Sequence, residues 1–133
     1  MKKVIILLIA ILTMSILLVG CGGTDNTIQT CIISNSGYYT QEELESAQQE
    51  EILAANEPIY TSVHFVESPK GMEYTVKWYV DGNEIKSETK ATEKEIQDII
   101  VFELEGNKAT AGSLKAEVVY KGTILVTKEL AIQ

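Results

Sequence analysis

The segment Glu73-Tyr74-Thr75-Val76-Lys77-Trp78-Tyr79-Val80 restricts the fold more than any other part of the chain. Tyr74, Val76, Trp78 and Val80 fall on one face, with Thr75, Lys77 and Tyr79 on the other, a period of two that belongs to a half-buried strand. Asp81-Gly82 follows at once. Both central residues of a type I′ turn need positive φ, so this dipeptide predicts a hairpin whose return strand covers 84–90, with Ile85 inside. A strand with one apolar face needs a second layer to cover it. The C-terminal half supplies candidates: alternating β-branched and aromatic residues over 59–66, a turn at Pro69-Lys70-Gly71, and a strand over 99–104. Breaks follow at Gly106-Asn107 and Ala111-Gly112-Ser113. Alternation then resumes at Leu114, Ala116, Val118 and Tyr120, and a turn at Lys121-Gly122 leads to a last strand over 123–132. Residues 92–97 read equally as loop or as the start of a helical turn. Short strands separated by glycine turns predict an all-β, antiparallel sandwich over 58–133.

Val76-Lys77-Trp78-Tyr79-Val80-Asp81-Gly82-Asn83-Glu84-Ile85 resembles the central hairpin of immunoglobulin-like domains, in which a Trp on the third strand packs mid-sandwich and a Tyr-x-Asp-Gly turn follows. By that resemblance, Gly112 to Ala116 lies in the penultimate strand, and Tyr120-Lys121-Gly122-Thr123 forms the last turn. Phe65 and Ala116 stand where such domains often carry inter-sheet cysteines, so no disulfide is implied, and Leu114 takes the tyrosine-corner position. The unit is short for the family, which leaves an edge strand either absent or supplied by 27–33.

The other end of the chain carries a different signal. Met1-Lys2-Lys3 precedes an apolar run over 4–19 interrupted only by Thr13 and Ser15. Such a run falls short of the ~20 residues that span a bilayer, and it has the layout of a secretory leader. Leu18-Val19-Gly20-Cys21 then resembles the lipobox of bacterial lipoproteins. The resemblance implies cleavage of a signal peptide, 1–20, and attachment of a diacylglyceryl group to Cys21. A thiolate is the side chain nucleophilic enough for that alkylation. Two acyl chains, at ~0.8 kcal/mol per buried methylene, hold a protein stably where one chain does so only marginally. The expected location is the cell membrane, lipid-anchored and facing outside; in a Gram-positive cell this is the outer face of the cytoplasmic membrane.

Between anchor and sandwich, residues 21–57 read as a lipidated N-terminus and tether. Gly22-Gly23-Thr24-Asp25-Asn26-Thr27 has linker composition, whereas 27–33 is either a short strand or more tether. Thr40-Gln41-Glu42-Glu43 has the form of a capping box, pointing to a helix over 41–55. Its apolar stripe is thin (Leu44, Ala47, Ile52), so such a helix packs weakly or forms only in part. The glutamates at 42, 43, 45, 50 and 51 read as a solvated face. Fully flexible, 22–57 would span ~30–36 Å. With Cys21 committed to lipid, Cys31 has no intramolecular partner, which suggests a free thiol or an intermolecular disulfide, while the bland reading is a small, semi-buried hydrophobe.

Charge narrows the partners. The chain carries a formal −8; removing Lys2 and Lys3 with the leader leaves nine lysines against 19 acids, or −10. That disfavours nucleic acid, and it disfavours anionic lipid without an anchor. His64 is the only histidine, mid-strand, with no nucleophile elbow, phosphate loop or metal-ligand spacing around it. The expectation is a non-enzymatic surface lipoprotein with no cofactor or metal, its partners the membrane through diacylglyceryl-Cys21 and an envelope or extracellular protein. Tyr79, on the face opposite Trp78, and Tyr38-Tyr39 in the tether are the candidate contacts. The alternative is a solute-binding or inhibitor lipoprotein using sandwich-end loops, 68–71 and 105–112.

Overall fold

A computed structural model describes residues 27–133. The leader and Cys21 lie outside the described residues. The elements are β1 (Ile28–Ser34), α1 (Gln41–Ser46), β2 (Ile52–Leu53), β3 (Ile59–Phe65), β4 (Glu73–Val80), β5 (Asn83–Ala91), β6 (Asp98–Leu104), a 3-10 turn (Gly106–Lys108), β7 (Gly112–Tyr120) and β8 (Thr123–Ile132). They form two sheets, ordered β1-β3-β6 and β2-β8-β7-β4-β5, antiparallel throughout except where β2 pairs parallel with β8. β3 and β4 are consecutive yet lie in different sheets, as do β5 and β6, and β6 and β7. This crossing between layers is the immunoglobulin-like β-sandwich.

The hairpin forms as the alternation predicts. Tyr74, Val76, Trp78 and Val80 are buried, Asp81 and Gly82 have φ of 51° and 84°, and β5 returns in register with a bulge at Trp78/Tyr79. Lys121 and Gly122 repeat the device, at φ 47° and 81°. Gly112 starts β7 beside the first hairpin's tip, at φ 153°, and a Cβ there would come within 2.7 Å of the Asp81 carboxylate. That carboxylate accepts from the Ser113 N–H, which ties the hairpin tip to β7. Residues 92–97 form a bent loop without helix.

The core lies between the layers. Trp78 is fully buried opposite Ala116, Phe65 stacks on Tyr74 with centroids 3.8 Å apart, and Phe102, Leu104, Leu114 and Val118 fill the rest. Phe65 and Ala116 occupy the inter-sheet positions as packing groups, and Leu114 is buried at the corner position.

The sandwich begins well before Pro58: of the two readings open for 27–33 the strand is the one that forms, and 34–57 packs on the domain in place of the expected tether. β1 pairs with β3 from Ile28↔Phe65 to Ser34↔Tyr60, with Cys31 and Ile33 in the core. β2 joins the opposite sheet beside β8 and places Leu53 in the same core. The helix expected over 41–55 is confined to Gln41–Ser46. Its Thr40 cap forms as predicted, with Thr40 Oγ1 accepting from the Glu43 N–H, but the stripe is too thin to carry a second turn. Leu44, 1% exposed, is its anchor. Together with Ile32 and the buried Ser62 and His64, it closes the outer face of the three-stranded sheet, where Ser62 Oγ also accepts from the Tyr38 N–H at 2.9 Å.

Side chains seal the edges of that sheet. Gln49 acts as a strand substitute along β1: its Oε1 accepts from the Ile33 N–H and its Nε2 donates to the Ile33 carbonyl. Lys128 donates to the Cys31 carbonyl beside it. Along β6, Lys86 and Lys90 of β5 donate to the carbonyls of Glu103 and Val101, and Glu88 accepts from the Glu103 N–H. These three β5 residues pair with Trp78, Val76 and Tyr74, so they share the inward face of the sheet at its rim.

Cys31 is buried in the core, and burial pushes its thiol up to about 11, opposed only in part by Lys128. At neutral pH its thiolate is therefore about 100-fold scarcer than that of an ordinary cysteine, and the sulfur is out of reach. We expect a thiol reagent to leave Cys31 untouched in the native protein and to modify it fully in denaturant. Rapid native modification would place the residue at the surface instead.

Candidate functional site

The two ends of the sandwich differ. Thr27, where the chain enters, accepts a hydrogen bond from the Val66 N–H at 2.7 Å. Around it lie the 66–72 loop, the 92–97 loop and the Lys121-Gly122 turn, joined by Ser68 N–H to the Ile96 carbonyl and Gly71 N–H to the Thr92 carbonyl. The far end carries the Asp81-Gly82 tip and the 105–111 loop, where Lys108 and Lys86 both pair with Glu105. Lys86, 2.7 Å away, holds the Glu105 carboxyl below its ordinary range, with Lys108 adding to the effect. Loops 68–71 and 105–112 therefore stand at opposite ends and do not form one binding site.

Among the predicted contact residues, Tyr79 lies on the outer face of the five-stranded sheet, but it is not a bare ring. It is half-buried, with Lys115 Nζ 4.5 Å from its centroid. Its hydroxyl hydrogen bonds to Glu117, and this bond, then partial burial, then the charges of Glu117 and Glu84 push it up to about 12 from an ordinary 10.0. A neutral phenol is thus favoured by the folded state. The stabilisation is fully present below pH 10 and is lost as pH rises toward 12. Titration of tyrosinate absorbance should show a step near pH 12 that Tyr79→Phe removes; an unchanged curve would disprove the carboxylate clamp.

Tyr38 and Tyr39 are not tether residues. Tyr38 is half-buried and pinned through its N–H to Ser62. Tyr39 is 64% exposed and stands between two shallow depressions. One, of about 340 Å³, is lined by Thr40, Gln41, His64, Lys94 and Gln97; the other, of about 510 Å³, runs along Lys90, Ala91 and Ile100. His64 is buried at the margin of the first, Nε2 3.1 Å from Gln97 Oε1 and Nδ1 without a partner. No serine, cysteine or carboxylate joins it in a catalytic arrangement among the hydrogen bonds described. Among the described residues no cluster of three His, Cys, Asp or Glu side chains is placed to hold a metal, and no helix is long and apolar enough to cross a membrane.

Sequence reasoning missed the exposed apolar groups. Ile96 is 71% exposed, Ile124 53% and Ile52 55%. Ile96 adopts φ 72°, a left-handed conformation that a β-branched residue rarely takes. No pattern in the sequence marks it, because the conformation is imposed by the loop.

No protein-family model and no curated protein sequence matches the chain. Solved structures resemble it at low identity. An immunoglobulin-like protein from Pseudomonas aeruginosa is 12% identical, over 84% of this chain and 100% of that one, with a TM-score of 0.49. The CARDB domain of a Pyrococcus furiosus protein, solved with di-metal ions, is 14% identical over 82% and 96%, at 0.40. Superoxide reductase (neelaredoxin) from Ignicoccus hospitalis is 18% identical over 71% and 94%, at 0.42.

Proposed function

We propose that this chain is a non-enzymatic, lipid-anchored surface module whose immunoglobulin-like sandwich binds protein or joins an envelope complex. The observation that carries the reading is Leu18-Val19-Gly20-Cys21, six residues ahead of the strand that opens the sandwich. A thiol at that place behind an apolar leader accepts two acyl chains, which hold a protein of charge −10 at a surface its own electrostatics would avoid. Six residues extend at most ~20 Å, at ~3.3–3.6 Å each. The domain therefore stands close to the bilayer, nearer than a 36-residue tether would leave it.

Cys21→Ala tests the anchor. The variant accumulates as an uncleaved precursor that takes up no labelled fatty acid, whereas normal processing and labelling would refute the lipid assignment. Crosslinking in intact cells followed by affinity capture tests the binding role: recovery of a defined envelope protein supports it, and a blank result at full surface display counts against it.

A further inference from the structure

We propose that the end of the sandwich where the chain enters is a membrane-contact surface, with Ile96 and Ile124 resting in the interfacial layer of the bilayer. The inference depends on acylation of Cys21 and adds an orientation to it.

Reach limits the arrangements. The chain enters at Thr27, six residues after Cys21, within ~20 Å of the lipid at full extension. The sandwich is longer than that: β8 alone has ten residues, ~30 Å at ~3.3 Å each. Standing the domain on its far end would lift Thr27 beyond the reach of its own anchor. The far end therefore cannot be the face that meets lipid.

The apolar surface is distributed accordingly. Of the four large hydrophobic side chains exposed among the described residues, Ile96 and Ile124 are at the entry end. Ile96 sits two residues before β6 and is bonded through its carbonyl to Ser68. Ile124 pairs with Val119 just past the Lys121-Gly122 turn. Tyr39 lies instead on the outer face of the three-stranded sheet, its ring against Gly37. The fourth, Ile52, pairs with Ala131 at the other end. Ile96 contributes little to the core, yet its backbone is held at φ 72° by a loop fastened on both sides, with Ser68 N–H on the Ile96 carbonyl and Glu93 N–H on Asp98. Strain that keeps an apolar side chain in solvent points to a surface outside the molecule.

Charge at this end is mixed. Lys70, Lys94 and Lys121 are exposed there, and their stems can lie along apolar surface while the ammonium groups meet lipid phosphates. Glu67, Glu73, Glu93 and Glu95 share the end and outnumber them. The contact is accordingly apolar and shallow, insensitive to salt and independent of anionic lipid. It need not be strong, because a short tether holds the end near the bilayer at an effective concentration of about millimolar.

The test uses the mature, lipidated full chain floated on phosphatidylcholine vesicles, with an environment-sensitive fluorophore at Ile96→Cys or, at the far end, Asn107→Cys. Cys31 is buried and stays unlabelled. A blue shift at position 96, quenching there by nitroxide-bearing lipid, and neither effect at position 107 support the proposal, provided that high salt changes nothing. Ile124→Cys repeats the measurement outside the strained loop. Equal signals at both ends, or quenching at 107 alone, overturn the orientation while flotation upholds the anchor. A chain that does not float and carries no acyl mass on Cys21 overturns the lipid reading itself.

Discussion

A chain that starts at Pro58 is expected not to fold, whereas one that starts at Thr27 folds. Residues 28–57 bury Cys31, Ile32, Ile33, Leu44 and Leu53. At ~1.5–3 kcal/mol for each fully buried aliphatic side chain, the four Ile and Leu alone contribute roughly 6–12 kcal/mol. A whole domain is stable by only about 5–15 kcal/mol. The truncation also turns β3, flanked by β1 and β6 in the intact sheet, into an unprotected edge of seven residues. Circular dichroism, a melting curve and size-exclusion chromatography distinguish the outcomes. The shorter chain should give no cooperative transition and should aggregate. A monomer with a sharp transition would show that 27–57 is dispensable and restore it to the role of a tether.

Trp78→Ala should be the most damaging single substitution in the sandwich, at about 3–5 kcal/mol. Trp78 is fully buried between the sheets, beside the small Ala116 on the neighbouring strand, so its loss leaves a large void in the core. Its indole N–H has no hydrogen-bond partner. Trp78→Phe therefore removes an unsatisfied donor along with volume, and should cost clearly less than the alanine substitution. Denaturant titrations of both variants read the difference. If the two substitutions cost the same, the indole nitrogen has a partner and the argument from its isolation fails.

The two regions differ in how much their sequence reveals. Glu73 to Val80 announces itself because four consecutive same-face positions are apolar and Asp81-Gly82 can adopt positive φ at low cost. β7 and β8 show the same period and a similar turn. Residues 28–57 lack such a signal. β1 is buried on both faces over Cys31, Ile32 and Ile33, so it has no alternation to read. β2 is two residues long. Leu44 and Leu53 each serve alone, one under a six-residue helix and one in the core, so neither belongs to a periodic set. Their partners are fixed by contacts distant in sequence, and by side chains such as Gln49 that replace a strand. Among the candidate contacts, Tyr79 was placed on the correct face by parity. Its clamp by Glu117, Glu84 and Lys115 depends on register with β5 and β7, which parity does not supply.

The sealed edges have a consequence for a protein held on a surface. Were Cys21 acylated as proposed, copies would be confined to two dimensions, where neighbours meet side by side far more often than in free solution and exposed strand edges invite strand-to-strand addition. Here Gln49 and Lys128 occupy the flank of β1, and Lys86, Glu88 and Lys90 occupy that of β6 while setting charge at the rim of β5. β2 is too short to template a partner. The flanks of the three-stranded sheet are thus occupied, so strand addition between copies would fall to the other sheet, at β5 or at the part of β8 that β2 leaves uncovered.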